Sequence, residues 1–166
     1  MSIFPSEEHR AELLMRLKLL GIAVINVEFS GGGDSGSIND VIAKTPDDAE
    51  VDLEAQPTMS WIVETSAHNP VTRQWEKSYR PAHLSLKSIL TKMTDQALEE
   101  SGLDWYNNDG GQGELVISFY ESPPAIQLNV GINYTKTDDY HFNFSGTGEL
   151  EAVEEDDDAS ASSQPD

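Results

Sequence analysis

The sequence predicts an α+β fold: an antiparallel sheet with two amphipathic helices packed mainly on one face, followed by a disordered acidic C-terminal tail. Three observations carry this. Two stretches, 6–20 and 83–101, repeat apolar residues at helical spacing and lie far apart in the chain. The segments after the second helix alternate in the manner of strands and are joined by loops too short for a crossover, so neighbours pair antiparallel and no β-α-β series appears. From Glu149 onward, 18 residues hold eight acids and no base, and Glu154 to Asp158 are consecutive carboxylates, which cannot bury a core.

The elements follow in order. Ser6 suits a helix N-cap, and Glu7 and Glu8 suit the positive end of the helix dipole. Leu13, Leu14, Leu17 and Leu20 form one apolar stripe, and Gly21 suits the C-terminal stop. Ile22 to Phe29 reads as a strand, with Ala23, Ile25, Val27 and Phe29 alternating against Ile22, Val24, Asn26 and Glu28. The glycine-rich stretch 30–36 reads as a loop, and Ser37 to Ala43 as a returning strand. Lys44 to Pro57 is acidic, carries Pro46 and Pro57, and reads as an exposed insertion.

Met59 to Thr65 and Val71 to Tyr79 follow as strands. The second helix places Leu86, Ile89, Leu90, Met93, Ala97 and Leu98 on one face and stops at Gly102. Glu114 to Tyr120, Ala125 to Tyr134 and Tyr140 to Phe144 are three strands, joined by 121–124 and 135–139. The organisation is one domain over 1–148 and a tail over 149–166.

Charge excludes several function classes. The 166 residues hold 30 acids and 10 bases, a formal net charge of −20. Residues 93–166 carry 17 acids and one base, whereas 70–92 carry five bases and one acid. Without the tail, residues 1–148 still carry 22 acids against 10 bases, −12, which repels a phosphate backbone or an anionic membrane. There is no cysteine, so disulfides, a thiol nucleophile and a cysteine zinc site are excluded. His9, His68, His83 and His141 lack metal-ligand spacing. No apolar run approaches a membrane span and the N-terminus lacks signal-peptide character, so a cytoplasmic protein is expected.

Four motifs bear on chemistry. Gly33-Asp34-Ser35-Gly36 spells the nucleophile signature of trypsin-like serine proteases, and Thr65-Ser66-Ala67-His68 echoes their histidine motif, but the order is reversed and the chain is short. A glycine-rich turn with Asp34 accepting backbone N–H bonds is the plainer reading. Gly31-Gly32-Gly33 lacks the Gly-Lys-Ser/Thr ending of a phosphate loop, and Asp34 would repel an anion.

Trp105-Tyr106-Asn107-Asn108-Asp109-Gly110-Gly111-Gln112-Gly113-Glu114 is dense in oxygen ligands and glycine, as a Ca²⁺ loop requires, but the EF-hand register puts Trp105 first and Val116 twelfth. That leaves a structured turn with Trp105 packed on the core, a cation site using Asp34, Asp109 and Glu114, or a recognition loop. In Asp138-Asp139-Tyr140-His141, Asp139 and His141 share a strand face, read here as an exposed hairpin rather than an acid–base pair.

Three segments together carry a resemblance: Phe29 to Ile38, Trp105 to Glu114 and Val130 to His141. They resemble a family of small acidic bacterial and mobile-element proteins with a W-x-N-N-D-G-x-x-G-E signature and no known function. The resemblance implies a shared fold and a shared site at these loops, and no activity.

The functional expectation is a non-catalytic, acidic protein-interaction module of a bacterial cell or phage-infected host. It binds a basic protein partner, with no cofactor and no direct contact with nucleic acid. A sharper form is a mobile-element inhibitor that presents carboxylates to a nucleic-acid enzyme as DNA would. The expected partner-binding residues are Asp34, Trp105, Asn107, Asn108, Asp109, Glu114, Asp138 and Asp139. The alternatives are a divalent-cation-dependent binder or hydrolase using 30–37 and 105–114, and a structural subunit of a larger assembly.

Overall fold

The computed structural model describes residues 3–32, 35–105, 110–133 and 137–151, with only the backbone of Thr137 and Asp138. The chain runs α1 (Glu7–Leu19), β1 (Val24–Gly32), β2 (Ser35–Lys44), a 3-10 turn (Leu53–Ala55), β3 (Met59–Asn69), β4 (Gln74–Leu84), α2 (Leu86–Ser101), β5 (Gly111–Ser118), β6 (Ala125–Asn133) and β7 (Thr137–Phe144). The seven strands form two antiparallel sheets rather than the single sheet expected. One is five-stranded in the order β2-β1-β5-β6-β7, and the other pairs β3 with β4 alone.

Both helices start as their sequences dictate. The Ser6 hydroxyl accepts from the His9 N–H at 3.2 Å, and the Ser85 hydroxyl from the Ser88 N–H at 3.1 Å. The second start corrects the expectation: 83–84 finish β4, and α2 begins at Leu86. The six apolar positions predicted for α2 are all buried, together with Thr94, whose hydroxyl donates to the Leu90 carbonyl. Each buried Leu, Ile or Met side chain contributes about 1.5–3 kcal/mol. On α1 only Leu13 and Leu17 of the predicted stripe are fully buried.

The period of two organises the large sheet. Register rows Val41–Val27–Leu115–Leu128–Phe142 and Ala43–Ile25–Ile117–Ile126–Phe144 run across all five strands. Their central members share one core cluster with the buried residues of α1, α2 and the root of β3.

Several expected loops are strand. Residues 30–32 extend β1, 35–36 extend β2, and β5 begins at Gly111. The cause is close backbone approach: Gly31 pairs with Gly111 across β1 and β5. At Gly110 (φ 78°) a Cβ would lie 1.9 Å from the Gly31 carbonyl oxygen, and at Gly113 a Cβ would lie 1.9 Å from that of Asn129. The expected insertion 44–57 is mostly exposed but anchored, with Leu53 in the core and the Val51 N–H donating to the Ala43 carbonyl at 2.9 Å. The chain also stays on the sheet beyond 148: Leu150 bridges Phe144, and the Glu151 N–H donates to the Asn143 carbonyl.

Candidate functional site

Burying Ile25, Val27 and Phe29 turns Asn26, Glu28 and Ser30 to the other face of the sheet. The same alternation turns out Gln112 and Glu114 on β5, Gln127 and Asn129 on β6, and Asp139 and His141 on β7. One register row across this outer face therefore reads Asp40–Glu28–Glu114–Asn129–His141. Three carboxylates on three adjacent strands are followed by an amide and an imidazole.

Hydrogen bonds order part of the row. Asn26 Nδ2 donates to Glu114 Oε1 at 2.8 Å, and Asn129 Oδ1 lies 2.8 Å from His141 Nδ1. Beside the row, Asn39 Nδ2 donates to the Ser30 hydroxyl at 2.8 Å and Asn133 Nδ2 to Gln112 Oε1 at 2.9 Å. Glu28, Asp40 and Asp139 have no ion-pair partner among the described residues. On this face lies a shallow, open hollow of about 500 Å³ lined by Glu28, Ser30, Asn39, Gln112, Glu114, Asn129, Asp139 and His141.

The predicted site residues fare differently. Glu114 and Asp139 both line this hollow. Trp105 is largely buried: it is 8% exposed, and its ring meets Phe29 edge-on at 5.2 Å between centroids. An indole of that size at the mouth of a glycine-lined strand pair is worth more buried than displayed. Asp34, Asn107, Asn108 and Asp109 lie outside the described residues, as does the side chain of Asp138. Glu28, Asp40 and Asn129 were missed. The available signal was the alternation in β1, which already placed Glu28 opposite Phe29.

The arrangement is a polar, carboxylate-rich face. Among the described residues no three His, Asp or Glu side chains are placed to hold a metal ion. The one His on the face is tied to an amide rather than to a carboxylate or hydroxyl.

Two further features flank the core. The β3–β4 ribbon is an arm: no residue from 62 to 85 is buried, and Val71, Trp75 and Tyr79 are 89%, 71% and 64% exposed. Its tip is set by Asn69, whose side-chain oxygen accepts from the Val71 N–H at 2.8 Å and whose carbonyl accepts from the Arg73 N–H at 2.7 Å. At its root, a trough of about 640 Å³ runs between Phe4, Trp61, Tyr79 and the α2 residues Lys92, Asp95 and Glu99. Desolvation by the surrounding atoms pushes the Asp95 carboxyl above its ordinary value, against an opposing pull from Lys92.

No described helix is long and apolar enough to cross a membrane. No curated protein and no solved structure matches the chain. A family model described as a family of unknown function (DUF6878) matches residues 6–144, which includes the glycine-rich segments, the C-terminal strands and the 44–92 stretch that the resemblance left out. The chain belongs to that family of unknown function.

Proposed function

We propose that this protein is a non-catalytic recognition module that takes a basic segment of a protein partner on the outer face of its five-stranded sheet. The observation that supports it is the row Asp40–Glu28–Glu114, three carboxylates on adjacent strands with no compensating cation among the described residues. Like charges directly opposite one another in a sheet cost stability. A surface that keeps them is organised for a ligand of opposite sign, and complementary charge gives specificity and a fast on-rate. With adjacent strands about 4.8 Å apart, the three span about 10 Å. That suits one or two Lys or Arg side chains better than the long phosphate track a DNA mimic must imitate. The work belongs in the cytoplasm of a bacterial cell or its phage-infected form, where a cysteine-free acidic protein meets basic proteins freely.

The reading is tested by affinity capture with three proteins: wild type, Glu28→Lys/Glu114→Lys, and the charge-matched control Glu50→Lys/Glu54→Lys. A basic protein retained by wild type and control, released with rising salt and absent from the sheet variant is the expected result. Equal loss in both variants would reduce the effect to bulk charge.

A further inference from the structure

We infer that the β3–β4 arm docks on a second copy of this chain, seated on the acidic outer face of that copy's large sheet. This rests on the reading of that face as the recognition surface and names its partner.

The arm is built as a ligand. A two-stranded ribbon without a core is marginal in water, yet this one runs 11 residues per strand with nothing buried between 62 and 85. Alternation puts Trp75, Lys77 and Tyr79 on one face with Ser66 and His68, where the His68 and Trp75 rings meet edge-on at 5.5 Å. Trp, Tyr and Arg are the residue types that dominate interface energetics. Arg73 stands at the tip and Arg80 on the opposite face, and neither makes an ion pair among the described residues. Lys77 reaches Glu64 at 3.5 Å, both largely exposed.

Charge complementarity selects the occupant. Residues 59–84 carry Arg73, Lys77 and Arg80 against Glu64 and Glu76, a net of +1 on a molecule of −20, and the outer sheet face gathers Glu28, Asp40 and Asp139 without an ion pair among the described residues. They cannot meet within one chain by a short path: Met59 and Trp61 root the arm in the core cluster, and the hollow opens on the opposite, polar side of the sheet. A second copy supplies what the first cannot reach, and reciprocal exchange closes a two-fold dimer in which each copy gives an arm and receives one. A nucleic acid fits less well. Its phosphates would face the rest of a −12 body. Between two copies, charges farther apart than about 8 Å are screened at physiological salt, while contact pairs are not.

Size-exclusion with light scattering on the full chain, at about 100 μM in about 0.15 M salt, tests this. Wild type is expected at twice the monomer mass, and Lys77→Glu/Arg80→Glu and Glu28→Lys/Glu114→Lys each at the monomer mass with unchanged circular dichroism. Mixing these two variants restores the doubled mass, because each arm then faces a hollow of opposite charge. A monomeric wild type, or a mixture that stays monomeric, overturns the inference, as does a monomer that binds a single-stranded oligonucleotide through Trp75. A monomeric wild type that still captures a basic protein lost by Glu28→Lys/Glu114→Lys removes only the second copy as partner and leaves the recognition face standing.

Discussion

Glu28 on β1 and Glu114 on β5 are register partners, two carboxylates directly opposite each other on the outer face of one antiparallel pair. Glu114 is held there by the Asn26 amide at 2.8 Å, while Glu28 is exposed and has no ion pair among the described residues. Like charges directly opposite one another in a sheet lower stability.

Replacing one member reads that cost directly. Glu28→Lys turns a like-charge pair into an opposite one and raises stability by about 0.5–1 kcal/mol. Urea unfolding measures the shift, while partner capture by the same variant falls. A destabilised Glu28→Lys protein would show that the pair is not repulsive.

Asp95 gives a pH signature. Its native carboxyl titrates above the ordinary value because of desolvation, so the native state holds its proton more tightly than the unfolded chain. The group therefore favours the fold below the ordinary carboxylate range and loses that contribution as pH rises through its native pKa. Asp95→Asn should raise the melting temperature at neutral pH, and the advantage should vanish in acid. Parallel melting curves at pH 3 and pH 7 check it.

Gly113→Ala tests the close approach of β5 and β6. Its Cβ would meet the Asn129 carbonyl oxygen at 1.9 Å and the Phe29 ring at 2.9 Å, so backbone must shift. A loss of about 2–4 kcal/mol is expected by denaturant titration, on the scale of severe overpacking. A loop glycine kept only for flexibility would tolerate the change.

Trp105→Ala separates core from surface. A buried indole packed on Phe29 predicts a loss of about 3–5 kcal/mol in unfolding free energy. Reduced partner binding at unchanged stability would return Trp105 to the surface.

Much of the fold is legible in the sequence where one local pattern decides it. Leu86 to Leu98 repeat at helical spacing and are buried as that spacing requires, and Ser6 caps α1 through its hydroxyl. The alternation of Ile25, Val27 and Phe29 fixes which face of β1 is core. What escapes is long-range. Gly31, Gly110, Gly111 and Gly113 look like loop residues until β1 and β5 are seen side by side, because their glycine serves a neighbouring backbone and not a turn. The split into two sheets is equally hidden, since β3 and β4 carry ordinary strand residues and only their lack of further neighbours sets them apart. The acidic face is half visible: Glu114 and Asp139 stand out beside glycines and aspartates, while Glu28 and Asp40 join Glu114 only through register.

Contact between the outer sheet face and a basic partner is read by zero-length carbodiimide crosslinking, since it joins a carboxylate only to an amine in contact. Crosslinked peptides carrying Glu28, Glu114 or Asp139 bonded to a partner lysine are expected, Lys77 of a second copy among them. Crosslinks confined to Glu50, Glu54 or the 154–158 carboxylates, with none on the sheet face, would contradict it.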